Sequence, residues 1–246
     1  MLFITFTSGN YTDMAKNFIT NFKNVLAPCG HTLVVVCIDP QAGENLKDYV
    51  YDWLTLDVRN MHNIVNMGGY NTPTFIYIMT FKPKFVFEYL QTNDEVYYSD
   101  CDIVFYKDPV KCIQEIGKPL IFQRDQDPND HPGVLCAGNF YVKKTTDTMI
   151  FMEKWVSEIC AKPHIADQVT LNDMVINNRL SVPYFPPEKF QRGLDAFEPN
   201  SPITGVDPRG KTWWKRDDKV CIHFNFVYGE MLGKIEAMKH TGSWCV

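Results

Sequence analysis

The chain has 246 residues, 45% of them hydrophobic and 22% charged, with a formal net charge of −5 and a pI near 5.7. That length suffices for one large domain with a substantial core, while the acidic balance and the lack of a basic stripe exclude a phosphate-backbone binder, so nucleic acid is not an expected partner. No apolar stretch approaches the ~20 residues of a membrane span, no charged-then-apolar leader precedes Leu2, and the eight Cys lack a zinc-type Cys-x₂-Cys spacing, which points to a soluble, cytoplasmic protein with reduced thiols.

Leu2-Phe3-Ile4-Thr5-Phe6 reads as a strand, Thr7-Ser8-Gly9-Asn10 as a turn, and Ala15, Phe18, Ile19, Phe22, Val25 and Leu26 as the apolar face of a helix. Gly30 ends that helix, and Thr32 to Ile38 is a strand apolar on both faces, as in a parallel sheet. The opening is therefore a βαβ unit. Ligands of such sheets bind beyond the carboxyl ends of the strands, which puts Thr7 to Tyr11 and Asp39 on a functional rim. Asp39 has two readings there, acceptor from a ribose hydroxyl or cap of a turn. No Gly-x-Gly-x-x-Gly follows the first strand, which disfavours a dinucleotide fold. Residues 41–72 read as irregular apart from a short strand at Trp53-Leu54-Thr55-Leu56. Pro73 to Leu90 has a helical pattern interrupted at Lys82-Pro83-Lys84, and it brings Lys82 or Lys84 toward the next strand.

That next run, Val96 to Pro109, is β-rich and broken by Asp100-Cys101-Asp102. In an extended chain residues i and i+2 leave one face together, so the two carboxylates share a strand end. Paired Asp oxygens are hard ligands suited to Mg²⁺ or Mn²⁺, which commonly bridge a carboxylate to substrate phosphates. The chain has two Asp-x-Asp triplets, the other being Asp125-Gln126-Asp127, about what chance supplies. The context is more informative than the triplet. Further on, a strand at Pro119 to Phe122 leads to the acidic loop, and Leu135 to Val142 is a strand with Gly138-Asn139 at its middle, a mark of a bulge or of a closely approaching ligand. Phe151 and Trp155 read as helix core. Asp167 opens another helix, where an N-cap is the plain explanation. The tail holds the strand Lys219 to Asn225, whose His223 can join the two strand-end carboxylates, and then a closing helix to His240.

This ordered series resembles the A-type-fold glycosyltransferases, most closely the retaining nucleotide-diphospho-sugar transferase family that includes plant cell-wall xylosyl- and arabinosyltransferases. The residues that carry it are Lys82-Pro83, Asp100-Cys101-Asp102 with Asp108-Pro109, Asp125, Gly138-Asn139, Asp167-Gln168 with Asn172, Phe185-Pro186 with Phe190 and Gly193, and His223-Phe224-Asn225 with Gly229, Lys234 and Trp244. The resemblance implies an α/β fold: one Rossmann-like A-type glycosyltransferase domain over 1–246 with a mixed, mostly parallel sheet flanked by helices. Residues 1–110 would form its nucleotide-binding half and 111–246 its sugar and acceptor half. The family's membrane anchor has no counterpart here, which suggests a soluble bacterial or viral relative.

The resemblance further implies Mn²⁺ or Mg²⁺ on Asp100, Asp102 and His223, held against the diphosphate of a nucleotide-sugar donor, with Lys234 and Lys82 near the phosphates. Thr7, Tyr11 and Asp39 would hold uridine. Asp125, Asp167 and Gln168 would be the catalytic residues at the sugar, with Gln168 on the side where a nucleophile would stand, Gly138 and Asn139 would line the sugar, and Trp213 and Trp214 would stack on a glycan or glycoconjugate acceptor. Two other classes fit parts of the pattern. Asp100-Cys101-Asp102-Ile103-Val104 also suits a haloacid-dehalogenase-type phosphatase, although that motif usually follows the first strand. A catalytically silent carbohydrate-binding relative would carry the same fold.

Overall fold

Strands β1 (Leu2–Thr7) and β2 (Thr32–Cys37) pair in parallel from Leu2 opposite Thr32 to Thr7 opposite Cys37, and β3 (Leu54–Val58) pairs in parallel with β2. In this computed structural model residues 1–59, 61, 72–125, 134–193, 197–199, 211–213, 219–225 and 230–246 are described. Helix α1 (Thr12–Val25) crosses between β1 and β2, burying Met14, Ala15, Phe18, Ile19 and Phe22. The chain then turns at Gly30, whose φ of 80° is left-handed backbone that a side chain would disfavour. A short helix, α2 (Pro40–Leu46), stands where the sequence reads as irregular. Its signature was present as Asp39 at the N-cap followed by Pro at the first helical position. The poor helix former Gly43 masks it, and Gly43 is required because a Cβ there would lie 2.7 Å from Val58 Cγ2.

The helical run after residue 72 is two helices, α3 (Pro73–Met79) and α4 (Phe81–Thr92). The break falls at Thr80, upstream of the expected interruption, because Pro83 sits in the first turn of α4, where its missing N–H removes no helical bond. Strand β4 (Glu95–Ser99) pairs in parallel with β1. The remaining elements are β5 (Ile103–Phe105), α5 (Val110–Ile116), β6 (Leu120–Arg124), β7 (Leu135–Lys143), α6 (Thr146–Ala161), α7 (Asp167–Asn177), β8 (Phe190–Arg192), β9 (Phe197–Pro199), β10 (Lys211–Trp213), β11 (Cys221–His223) and α8 (Glu230–His240).

The main sheet has six strands in the order β3-β2-β1-β4-β7-β6, and in it only β7 runs against its neighbours. It is the mixed, mostly parallel α/β sheet expected. Strand order reverses between β1 and β4, the crevice where ligands of such sheets bind. The β-rich run around Asp100 is split: β4 stays in the main sheet, while β5 joins a second sheet of order β5-β11-β8. Both faces of the main sheet are covered. Ile4, Phe6, Val34, Phe122 and Phe140 pack toward α4 and α6 with Trp155 fully buried, and Phe3, Leu33, Val35, Tyr97 and Tyr141 pack toward α1 and the second sheet. A smaller cluster of Met14, Val104, Ile222, Phe224, Ala237 and Met238 seats α8. All eight cysteines are free thiols, and among the described residues no helix is long and apolar enough to cross a membrane.

Three helix asparagines fasten backbone that no ladder satisfies. Asn21 donates to Phe105 O at 2.9 Å and accepts from Phe105 N at 2.9 Å. Asn172 treats Leu135 likewise, and Asn17 holds Ser243 O and Cys245 N. The first clamp fixes β5, and so the position of Asp102, against α1. Asn21→Leu strands two buried backbone groups, each worth about 1–3 kcal/mol when unpaired. A loss of about 2–4 kcal/mol in urea unfolding is therefore expected, and an unchanged midpoint would contradict the clamp.

Candidate functional site

Asp100 is the first residue past β4, and its N–H still donates to Gly138 O at 2.7 Å, prolonging the β4–β7 pairing by one bond. Ile103 N donates back to Asp100 O at 3.2 Å, so the chain turns at once and Asp102 directly precedes β5. Strand β11 pairs antiparallel with β5, His223 opposite Ile103, and Phe224 N donates to Asp102 O at 3.0 Å. That register delivers the imidazole to the carboxylates. His223 Nε2 lies 3.3 Å from Asp102 Oδ1 and 3.9 Å from Asp100 Oδ2, and ligand atoms of all three residues fall within 4.8 Å of one another.

Four more side chains shape this cluster. Lys82, from α4, is buried with its Nζ 3.2 Å from Asp100 Oδ1 and 3.2 Å from Asp167 Oδ2. Burial opposes its charge, but the Asp100 and Asp167 carboxylates outweigh it and hold the ammonium above its usual range. Lys234, from α8, places Nζ 2.5 Å from Asp102 Oδ2. Burial would raise the Asp102 carboxyl, but Lys234 and then His223 prevail and hold it far below the ordinary carboxylate range. Tyr98 donates its hydroxyl to Asp100 Oδ1 at 2.6 Å, and Cys136 Sγ lies 3.5 Å from His223 Nδ1. Gly138 is the floor. A Cβ there would stand 2.3 Å from Asp100 Oδ2 and 2.6 Å from His223 Cε1, so only glycine admits both groups.

The residues present suit a divalent cation. Asp102 Oδ1 is buried without a hydrogen-bond partner, an expense that a bound ion would remove. Two carboxylates and one imidazole form a donor set for Mn²⁺ or Mg²⁺, the imidazole favouring the former.

Beside the cluster, Asp125 is pinned at both oxygens. Gln168 Nε2 donates to Oδ2 at 2.5 Å and Asn225 Nδ2 to Oδ1 at 2.8 Å, while Arg192 Nη1 holds the Asp125 carbonyl at 2.8 Å. Burial pushes this carboxyl up, with His223 and Gln168 partly countering it. Gln168 in turn accepts from Ala137 N at 3.1 Å, and the Asn172 clamp one helical turn later sets its register on β7. Asp167 occupies the first helical position of α7 instead of the cap, which is Ala166. Its side chain goes to Lys82. Burial raises its carboxyl, and Lys82 lowers it in part.

Four expected site residues sit differently. Thr7 is fully buried, its hydroxyl turned to Ser8 O. Asp39 uses one oxygen to cap α2 through Ala42 N at 2.8 Å and the other to accept from Gly9 N at 2.9 Å, so of its two readings the cap is the one in place. Asn139 is fully buried and donates to Gln123 Oε1 and Cys221 Sγ, because side chains alternate along β7 and Gly138 has the site-facing position. Lys82 is enclosed between two carboxylates and is not presented at the surface. Tyr11 is half-buried, an electrostatic neighbour of Lys234. The Trp213 side chain and Trp214 lie outside the described residues, as does Gly229. Tyr98, Cys136 and Arg192 went unnoticed in the sequence. Only Tyr98 had a signal, being two residues before Asp100 on the same strand face.

A family model described as nucleotide-diphospho-sugar transferase matches residues 31–238. Among curated proteins, the chain is 22% identical over 206 residues to UDP-D-xylose:L-fucose alpha-1,3-D-xylosyltransferase MGP4 of Arabidopsis thaliana, covering 78% of this chain and 54% of that protein. It is 25% identical over 200 residues to UDP-D-xylose:L-fucose alpha-1,3-D-xylosyltransferase 3 of the same plant, covering 71% and 47%. The chain thus spans about half the length of the curated relatives it matches. Its fold is similar to that of the galactosyltransferase LgtC in complex with donor and acceptor sugar analogs, with a TM-score of 0.62 at 14% identity, covering 100% of this chain and 97% of that one. The apo-form glycosyltransferase GlyE of Streptococcus pneumoniae TIGR4 is a more distant likeness, with a TM-score of 0.51 at 13% identity over 78% of this chain and 46% of that one.

Gly138→Ala tests the floor of the cluster. The added methyl must displace Asp100 or the imidazole while the strand around it stays paired, so calorimetry is expected to show Mn²⁺ affinity reduced about 10-fold or more with a near-native circular dichroism spectrum. Unchanged affinity would show that the two groups do not need their close approach.

Proposed function

The chain belongs to the nucleotide-diphospho-sugar transferase family, and from that premise we propose that it moves a sugar from a UDP-sugar to a hydroxyl of a glycan or glycoconjugate, with a divalent cation and with retention at the anomeric carbon. The observation that carries the cation is Asp102 Oδ1, buried without a hydrogen bond and 3.3 Å from His223 Nε2, in a cluster with Asp100. The UDP moiety is supported by the two Arabidopsis relatives, whose names give UDP-D-xylose as donor.

Breaking the anomeric C–O bond leaves charge on the diphosphate, and a cation held by Asp100, Asp102 and His223 would supply Lewis-acid neutralisation of it. Lys234, beside Asp102, adds a preorganised ammonium where that charge develops. Tyr98 and Lys82 hold Asp100 from the core side, so the ligand oxygens need no reorganisation on binding. Uridine would lie along the turn after β1, with the half-buried Tyr11 as its aromatic neighbour, and Trp213 and Trp214 would stack on the acceptor.

Retention is favoured by what the carboxylates are doing. An inverting enzyme needs a base free to take the acceptor proton, whereas Asp125 accepts from two amides and Asp167 is bound to Lys82. Gln168 is a poor nucleophile, so front-face displacement within an ion pair fits better than a covalent intermediate. In that route the leaving phosphate takes the proton, and Asp125 with Gln168 orients the sugar.

A panel of nucleotide sugars with Mn²⁺ is expected to release nucleoside diphosphate from a UDP-sugar, and to stop doing so with excess chelator or on Asp102→Asn. Release of inorganic phosphate instead would support the phosphatase reading. Asp125→Asn is expected to slow turnover without abolishing it, whereas loss of a general base costs about 10²–10⁴-fold. NMR of the first-formed product should show the donor's anomeric configuration, and the opposite configuration would overturn retention.

A further inference from the structure

Two of the asparagine clamps stand one turn apart on α1. Asn17 and Asn21 are i and i+4, so their side chains leave the same face of the helix. Asn21 grips β5 at Phe105, three residues beyond Asp102. Asn17, fully buried, grips the segment that follows α8. Its Oδ1 accepts from Cys245 N at 2.6 Å, and its Nδ2 faces Ser243 O at 3.3 Å and Met238 Sδ at 3.5 Å. That segment is folded back on α8, since Ser243 N and Trp244 N both donate to Met238 O, at 2.7 and 3.1 Å. Ser243 Oγ also meets the Tyr106 hydroxyl and accepts from Thr241 Oγ1 at 2.8 Å. Met238 is one turn beyond Lys234 on the same face of α8, so whatever seats Met238 sets the reach of Lys234.

We infer that Asn17 is a positioning residue for Lys234: by strapping the end of α8 to the face of α1 whose Asn21 holds β5, it fixes the Lys234 ammonium relative to Asp102, and so to the diphosphate of a bound donor. This rests on the donor reading above. Apolar packing alone would not fix α8 so closely. Of its described side chains only Ala237 and Met238 are buried, and Leu232 is 71% exposed. Their contacts with Met14, Val104, Ile222 and Phe224 are non-directional, whereas the Asn17 bonds fix distance and angle. Asp100, Asp102 and His223 belong to the turn after β4 and to β11, not to α8. The strap therefore acts on the phosphate side of the site and leaves the cation ligands where they are.

Calorimetry on the full chain separates this role from general support of the fold. UDP is titrated into protein saturated with Mn²⁺, and Mn²⁺ alone into the same variants. Asn17→Ala and Lys234→Ala are each expected to lower UDP affinity about 10-fold, the size of one charge-assisted hydrogen bond, with Mn²⁺ alone binding no more weakly than to wild type. The double variant is expected to lose no more than either single one, since the asparagine acts only through the lysine. Tyr106→Phe, which removes the hydroxyl at Ser243 Oγ while the Asn17 bonds remain, repeats the cycle with a smaller loss should Asn17→Ala not fold. Losses that multiply in the double variant, Mn²⁺ affinity that falls together with that of UDP, or wild-type UDP affinity in the Asn17 or Tyr106 variant would overturn the proposal. Unchanged UDP affinity in Lys234→Ala, or no binding of UDP to wild type, would overturn the donor reading itself and the proposal with it.

Discussion

Two carboxylates held side by side below the surface repel one another and lose hydration, so they persist only where positive charge and hydrogen bonds compensate them. Asp100 and Asp102 meet that constraint with groups drawn from four separate elements. Lys82 comes from the first turn of α4, Tyr98 from β4, His223 from β11 and Lys234 from α8. The second sheet exists in part to make this possible. By leaving the main sheet after Asp100, the chain pairs β5 with β11 and so sets an imidazole beside the second carboxylate. The cluster thereby draws on both halves of the chain.

The same economy governs the neighbouring Asp125. It is buried, yet its two oxygens are met by amides of Gln168 and Asn225, neutral donors that fix direction without adding charge. A carboxylate so held serves better to orient hydroxyls than to shuttle a proton. The Asn172 clamp makes this precise in space, since it ties α7 to β7 and carries Gln168 with it.

The parts of this arrangement that the sequence made legible are those with a local signature. Asp100 and Asp102 stand two residues apart where β4 ends, and His223 closes an apolar run, so the sequence pointed to all three, although the turn after Asp100 and the β5–β11 register, not strand periodicity, bring them together. The parallel sheet was legible in the same way, from runs apolar on both faces. What stayed hidden depends on partners far along the chain. A lysine in a first helical turn is ordinarily solvated, and only the approach of Asp100 and Asp167 turns Lys82 into a buried ammonium. Cys136 and Arg192 carry no local mark of their partners. Asn139 is different, because period-two alternation already separated it from Gly138, and the bulge signal drew attention to the pair instead of to one residue. Helix α2 was hidden by Gly43, whose packing against Val58 overrides its weak propensity.

The central claim is a cation shared by Asp100, Asp102 and His223 and the diphosphate of a nucleotide sugar. Electron spin-echo spectroscopy of Mn²⁺ added with UDP measures it directly, through the nuclei coupled to the metal. With the cation so placed, the spectrum shows ¹⁴N modulation from one imidazole together with ³¹P coupling from the nucleotide, the nitrogen signal vanishing in His223→Gln. A spectrum with neither coupling, or a nitrogen signal that survives His223→Gln, would contradict it.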